Sequence, residues 1–391
     1  MTALVIGCPA RLNLLIISAT PHHRRDGRIV GWGPTVRELD QLATRFTQVR
    51  HVAYLDDAPA SDTDLPYTAR NIELVPVAPA GGDGLLGKLD ALRASPSYVV
   101  TILRELASAD FVHVRAPANI ALIAMLLVSA RRRPAGRWFK YAGNWRPAGA
   151  ESLSYSLQRW WLEHRWHQGI VTVNGAWPEQ PSWVRTFFNP SLDAATVARG
   201  REAAASKHVV DRLVLLYVGR VETPKGAGRA IEIVARLAKR GVSATLHIVG
   251  DGEERGTFET AVRDRGLSDR IHFHGWLSPH ALLDFYTDAH VSLLPTTASE
   301  GWPKVLSEGM AFGVVPVAGA VSSIPQYLTE FGLGAAIPAE QLDRYVDTLA
   351  GYIESPATWK RASERAVEAA NLFTFTHYLS RVEQLLDDSG R

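Results

Sequence analysis

Two stretches of the sequence combine residue types suited to phosphate and sugar chemistry. In LLYVGRVETPKGAGRAIEIVARL, Gly219, Arg220, Lys225 and Gly226 stand between an apolar run and an amphipathic one. Glycine permits close backbone approach, a helix N-terminus offers unpaired N–H donors, and two cations can clamp a diphosphate. No Ser or Thr follows Lys225, so this is no P-loop, and the glycine spacing is not the dinucleotide fingerprint. In TTASEGWPKVLSEGMAFGVVPVAG, Glu300 and Glu308 stand eight residues apart. Pro303 suits the first position of a helix and Gly313 its end, which leaves Glu300 on the entering loop and Glu308 inside the helix. The N–H groups near Gly301 and Trp302 then point at an anion, and a carboxylate in the helix can accept hydrogen bonds from a ribose diol. Taken alone, the loop reads equally well as two surface cations, and the glutamates read better as solvated surface. Together they make a candidate diphosphate site.

Such loops need a scaffold of alternating strands and helices. Apolar runs at Leu12–Ser18, Val49–Leu55, Ile72–Val77, Phe111–Arg115, Trp138–Tyr141 and Ile170–Asn174 read as strands. Amphipathic runs at Thr35–Phe46 and Ala118–Ala130 read as helices between them. A second cycle follows, with strands at Leu213–Val218, Thr245–Val249, Ile271–His274, Val291–Leu294 and Val314–Val317. Its first helix carries Ala230, Ile231, Val234, Leu237 and Ala238 on one stripe and stops at Gly241. Asn189–His208 reads as the link between the halves. Alternation of this kind means parallel sheets, here in two Rossmann-like domains, with ligands beyond the carboxyl ends of the strands.

Composition sets the outer bounds. The 391 residues hold one cysteine, Cys8, which excludes an internal disulfide framework or a cysteine-rich metal site. No D-x-D occurs and His22–His23 read as part of a polar loop, so a metal is not expected. The net charge of +2 gives no reason to expect nucleic acid. It hides an asymmetry, however. Residues 1–205 carry 23 Lys and Arg against 17 Asp and Glu, so the remainder is net acidic, and eight of the eleven tryptophans lie in this basic half. The N-terminus does not read as a signal peptide, and Ile120–Val128 is too short to span a bilayer, so the expectation is a cytoplasmic protein.

The second half resembles the family 4 glycosyltransferases. The similar stretches are VGRVETPKG, HIVGDGEERGTFETAVRDRGLSDRIHFHGWLS, DAHVSLLPT and EGWPKVLSEGMAFGVVPVAG, in the family's order, across roughly residues 213–330. The resemblance implies a retaining hexosyltransferase of the GT-B fold, in which two Rossmann-like domains face each other across a deep cleft. It implies an acceptor domain of residues 1–205 plus 376–391 and a nucleotide-sugar donor domain of residues 206–375. It also implies that Arg220 and Lys225 bind the donor diphosphate beside Gly219, that Glu308 holds the ribose, and that Glu300 sits against the donor sugar. Gly301 and Trp302 would serve the donor through their amides, and Trp276 would flank the base. The terminal AANLFTFTHYLSRVEQLLDD resembles the family's last helix, which crosses back to the first domain. No metal or other cofactor is implied beyond the nucleotide sugar as co-substrate. Surface-polysaccharide or lipid-linked glycan assembly is the expected role, with a small-molecule natural product as the alternative acceptor. The alternative functions are another enzyme on this fold, an epimerase or a phosphorylase, and a non-catalytic nucleotide-binding homologue.

The first half resembles the family less. GRIVGWGPTVRELDQLA offers Gly31 and Gly33 as a glycine-rich loop near phosphate or acceptor. DFVHVRAPAN places His113 and then Arg115 where family members often carry a histidine at the reaction centre. A permanently charged guanidinium cannot replace a neutral imidazole, so Arg115 is expected to stabilise the leaving phosphate or an anionic acceptor. Lys140, Asn144, Trp145 and Arg146 follow another strand and read as acceptor-side residues. ESLSYSLQRWWLEHRWHQG reads as a helix packing its aromatics inward, with peripheral contact to the inner membrane surface as the alternative.

Overall fold

Alternation along each strand sends side chains to two faces of a sheet, and connection handedness decides which helices cover them. The computed structural model describes residues 12–81, 84–147, 149, 151–209, 211–298 and 301–389. The chain divides into two compact units, Met1–Phe187 with Leu379–Arg391, and Phe188–Tyr378.

The first unit runs β1 (Asn13–Arg25), β2 (Arg28–Trp32), α1 (Gly33–Ala43), β3 (Gln48–Leu55), β4 (Asp64–Leu65), β5 (Ile72–Val77), α2 (Gly84–Leu106), β6 (Phe111–Ala116), α3 (Asn119–Ser129), β7 (Gly136–Tyr141), α4 (Leu153–Glu163), β8 (Ile170–Val173) and β9 (Val184–Thr186). Strands β5-β3-β1-β6-β7-β8-β9 pair in parallel in that order. The far end of β1 folds into an antiparallel hairpin with β2, which carries β4. Steps from β1 toward β5 run one way along the sheet and steps from β5 through β8 run the other. Right-handed crossovers therefore put α1 on one face and α2, α3 and α4 on the opposite one.

The α2–α4 face is apolar. Leu15, Ile17, Val112, Val114, Phe139 and Tyr141 bury against Ile102, Ile120, Ala124 and Leu162, and each fully buried side chain of this kind stabilises by about 1.5–3 kcal/mol. The alternate residues of the same strands, His51, His113, Arg115, Trp138 and Lys140, point to the α1 face. A parallel sheet normally buries apolar side chains on both faces, so this polar face needs a reason.

Two readings change here. Gly31 is not in a loop: it lies in β2 opposite His22, and Gly33 is the first residue of α1. His22 and His23 belong to β1, which continues beyond Ser18 because the hairpin gives its end a partner. Helix α2 carries Pro96 inside it, a residue that disguises a helix in sequence.

The second unit runs α5 (Ala194–Ser206), β10 (Leu213–Val218), α6 (Ala227–Lys239), β11 (Ala244–Val249), α7 (Arg255–Asp264), β12 (Ile271–Gly275), α8 (Pro279–Asp288), β13 (Val291–Leu294), α9 (Lys304–Ala311), β14 (Val315–Gly319), α10 (Ile324–Phe331), β15 (Ala335–Ile337), α11 (Leu342–Glu354) and α12 (Pro356–Ala370). A short turn of 3-10 helix leads to α13 (Phe375–Ser389), which begins in this unit and ends in the first. The sheet is fully parallel in the order β12-β11-β10-β13-β14-β15. Gly241 follows the end of α6 with φ +73, the left-handed stop its sequence announces.

The segment Asn189–His208 is part of this unit, not a free link, so the division falls at 187/188 and 378/379 rather than 205/206 and 375/376. The reason is packing. A Cβ on Gly200 of α5 would stand 2.3 Å from the carbonyl oxygen of Ala311. The buried Lys207 ammonium donates to the carbonyls of Tyr286, Ala289 and Phe312 at 2.8, 2.7 and 2.8 Å. It thereby satisfies orphan carbonyls at the C-terminal ends of α8 and α9, where a cation also suits the helix dipole. Within the first unit, Arg45 and Arg185 hold the end of α13 through Glu383 and Asp388 at 2.5 and 2.6 Å.

Candidate functional site

Glycines set the geometry at the carboxyl edge of the second sheet. Gly219 donates to the Val249 carbonyl at 3.0 Å and Gly250 to the Gly275 carbonyl at 2.8 Å. Gly250 has φ +133, and a Cβ there would stand 2.0 Å from the Gly219 oxygen, so only glycine lets these strand ends approach. The following loop is tied down at each step. Tyr217 donates to the Arg220 carbonyl at 2.6 Å, and Thr223 donates twice to the Glu254 carboxylate, at 2.5 and 2.8 Å. Arg229, in the first turn of α6, donates to the carbonyls of Pro295, Thr223 and Pro224 at 2.6, 3.0 and 3.1 Å. The loop carrying Arg220 and Lys225 is thus clasped to the segment that leaves β13 for α9.

That clasp was not anticipated, although it left a trace. A cation in a first helical turn faces the positive end of the dipole and is disfavoured there unless something else holds it. Arg220 is largely exposed and pairs with Glu222. Lys225 is half-buried. Burial pushes its ammonium below the ordinary lysine range, Glu222 opposes that shift, and Arg220 adds to it. Gly226 caps α6 with φ +96, and a Cβ on it would lie 2.3 Å from the Pro295 oxygen. Gly226→Ala is therefore expected to destabilise the protein by about 2 kcal/mol or more, through left-handed strain and a backbone clash. A lowered urea midpoint at unchanged slope checks this.

Helix α9 begins at Lys304, so Pro303 precedes the helix instead of opening it. Gly313 ends the turn with φ +68, as its position implied. Glu300 lies outside the described residues. Glu308 accepts a hydrogen bond from the Tyr286 hydroxyl at 3.2 Å, and burial together with Glu308 raises the Tyr286 pKa, keeping that phenol a donor. Trp302 differs from expectation. Its ring is buried, stacked on Phe373 with centres 5.2 Å apart and edge-on to Tyr327 at 5.1 Å. Only its backbone is left to serve a ligand. The neighbouring Gly301 carbonyl accepts from Ser323 at 2.8 Å, so the loop is held from α10. Trp276, just past Gly275 and β12, is exposed.

In the first unit the polar face of the sheet gathers a second cluster. Arg115 and Lys140 are cross-strand partners on β6 and β7. Glu38 of α1 holds both: one carboxylate oxygen accepts from Arg115 at 2.8 Å and from Lys140 at 2.7 Å. Relative exposures are 1% for Glu38, 13% for Arg115 and 8% for Lys140. One level below, His113 is buried and stacked on Trp138 with centres 3.7 Å apart. Burial first, then Arg115 and Lys140, hold its pKa well below the usual histidine range, so it is neutral.

Beside it runs a chain of neutral groups unforeseen in the sequence. His22 Nδ1 lies 3.1 and 3.2 Å from the carbonyls of Thr20 and Tyr54 and must therefore donate. Its Nε2 then accepts from Tyr67 at 2.9 Å, Tyr67 accepts from His51 Nδ1 at 2.7 Å, and His51 Nε2 lies 2.8 Å from the Ser18 hydroxyl, which donates to Thr20. Burial lowers both histidines' pKa values and raises that of Tyr67, which keeps the chain uncharged. Gly31 packs against it, since a Cβ there would touch the His22 ring at 2.5 Å, and Gly33 lies against the Thr63 carbonyl. Of Lys140, Asn144, Trp145 and Arg146, only Lys140 joins the cluster. Trp145 is buried, Asn144 accepts from the Arg146 amide, and Arg146 pairs with Glu163.

Residues 199–370 match the family described as "Glycosyl transferases group 1". The second unit is thus similar to group 1 glycosyl transferases over 172 of the chain's 391 residues. A D-inositol 3-phosphate glycosyltransferase of Kribbella flavida is 30% identical over 216 residues, 52% of this chain and 50% of that protein. A lipopolysaccharide 1,6-galactosyltransferase of Salmonella typhimurium is 30% identical over 125 residues, 32% of this chain and 34% of that protein. The chain spans about half the length, or less, of these curated relatives. Sucrose-phosphate synthase of Thermosynechococcus elongatus is similar in structure, with a TM-score of 0.67, 18% identity and coverage of 97% and 99% of the two chains. That likeness establishes the fold, two α/β units of the GT-B class, and the stretch similar to group 1 glycosyl transferases lies within the second unit.

Proposed function

We propose that this protein is a retaining glycosyltransferase that moves a hexose from a nucleotide-diphosphate sugar to an acceptor hydroxyl. The observation that carries this reading is the Arg229 clasp, which brings the Arg220–Lys225 loop beside the approach to the Glu308 helix. Two cations and a helix N-terminus then meet the leaving diphosphate, and a half-buried carboxylate meets the ribose. As the sugar–phosphate bond breaks, positive charge grows on the anomeric carbon and negative charge on the departing phosphate. Preorganised charge aimed at that phosphate is the main lever on rate. Arg220 and Lys225 supply it, so the reading needs no metal ion. The departing phosphate accepts the acceptor hydroxyl's proton on the same sugar face, which retains configuration.

The acceptor side rests on Arg115 and Lys140, two cations on one buried carboxylate, which suit an anionic group on the acceptor. Surface-polysaccharide or lipid-linked glycan assembly in the cytoplasm fits such acceptors, in keeping with the lipopolysaccharide enzyme among the relatives. A thermal-shift screen of UDP-, GDP- and ADP-sugars tests the donor half. One nucleotide class is expected to raise the melting temperature, since about 2.7 kcal/mol accrues at a hundredfold excess over Kd. Glu308→Ala is expected to weaken that ligand about tenfold or more. No stabilisation by any nucleotide sugar would sink the reading. Proton NMR of the donor without acceptor separates transfer from epimerisation, and binding without turnover across an acceptor panel would mark a non-catalytic homologue.

A further inference from the structure

Among the described residues, nine of the eleven exposed large apolar side chains lie on or beside α2, α3 and α4 of the first unit. The three helices cover one face of the same sheet and pack in sequence, α2 on α3 and α3 on α4. Their outward stripes are regular. Leu153, Leu157 and Trp160 fall at i, i+4 and i+7 on α4, and Leu153 is 88% exposed. Leu92 and Val100 stand two turns apart on α2, at 69% and 66% exposure. Helix α3, which exposes Leu126, contains no charged residue from Asn119 to Ser129. The second unit offers an internal contrast. Its outer helices pair Arg236 with Asp343 and Arg240 with Asp347, and its one large apolar side chain exposed among the described residues is Trp276.

Charge accompanies the apolar stripes. Residues 84–166 hold twelve Lys and Arg against five Asp and Glu; with Arg115 and Lys140 set aside on the α1 face, ten against five remain, an excess still greater than that of the whole chain. Three of the five acids already face an arginine: Glu105 with Arg50, Glu151 with Arg159 and Glu163 with Arg146. Arg131, Arg132 and Arg133 are exposed at the end of α3, and Arg165 is exposed just past α4.

We propose that the α2–α3–α4 face docks on an anionic lipid bilayer, its apolar stripes entering the headgroup layer and its arginines pairing with lipid phosphates. Such a face, apolar at its centre and basic at its margins, has the composition of an interfacial surface. A second copy of the chain is the poorer occupant, because a two-fold interface would oppose two patches of the same positive sign. The proposal concerns a surface and stands apart from the donor chemistry.

Co-sedimentation with vesicles of 30% phosphatidylglycerol in phosphatidylcholine, and with pure phosphatidylcholine, tests it. The expected result is binding to the anionic vesicles that weakens as salt rises, with little binding to the neutral ones. Replacing Arg131, Arg132 and Arg133 together by Ser is expected to lower the partition coefficient about 100-fold. Leu157→Glu with Trp160→Glu is expected to abolish binding. Nucleotide-sugar stabilisation of both variants, measured alongside, shows that they remain folded and reports the donor reading separately. Equal binding to neutral and anionic vesicles, no binding to either, or a solution dimer that the same substitutions dissociate would each overturn the proposal.

Discussion

Lys225→Ala is expected to reduce kcat/KM for the nucleotide sugar by about 10²–10³-fold, the effect of removing one preorganised charge from a developing anion. The fold should not suffer. Lys225 is half-buried, and its pKa is depressed mainly by that burial. A depressed lysine releases its proton more readily in the folded state than in the unfolded chain. Below both pKa values its charge therefore costs stability, and the cost disappears as pH rises through the folded and then the unfolded value. The alanine variant is accordingly expected to be as stable as the parent at pH 7, or slightly more so, while it loses activity. The same shift dictates a pH profile. Because kcat/KM reports the free enzyme, its alkaline limb should fall below the ordinary lysine range. Glu222 raises the pKa of Lys225, so Glu222→Gln should move that limb to lower pH. A limb that stays in place would remove Lys225 from the diphosphate site, and an alanine variant of full activity would do so more directly.

The second unit was the more legible half for a physical reason. Its strands are buried on both faces and read as unbroken apolar runs; Leu213–Val218 and Val291–Leu294 coincide with β10 and β13. Within each stretch its candidate loop residues are close in sequence, so spacing could pair Arg220 with Lys225 and Glu300 with Glu308. Contacts between distant residues stayed hidden. Trp302 is drawn into the core by Tyr327 and Phe373. Lys207 fixes α5 to this unit by reaching carbonyls 79 to 105 residues away. In the first unit the cost of local reasoning was larger. Gly31 packs against the ring of His22, and Glu38 on an amphipathic helix looks solvated, yet it is buried against partners 77 and 102 residues on. Charge on the buried face of a parallel sheet is a strong functional signal, but strand alternation becomes informative only once the pairing of β6 with β7 is known.

Glu38→Ala is expected to destabilise the protein by about 3–5 kcal/mol, because it removes the buried carboxylate that Arg115 and Lys140 share. The loss should appear as a lower urea midpoint, and activity should fall with it. That result alone does not separate a structural triad from a functional one. The combination Glu38→Leu, Arg115→Met and Lys140→Met does. It replaces the charges with apolar groups of similar reach, a change that is often neutral or stabilising once no buried charge remains. If the cations exist to hold α1 on the sheet, the triple variant recovers both stability and turnover. If they exist to receive an anionic acceptor, it recovers stability alone. The second outcome is expected, with KM for the acceptor raised at least tenfold while donor-induced thermal stabilisation is unchanged. Apolar side chains are the rule on both faces of a parallel sheet, so charge placed there at the cost of desolvation is the reason to expect a role beyond stability.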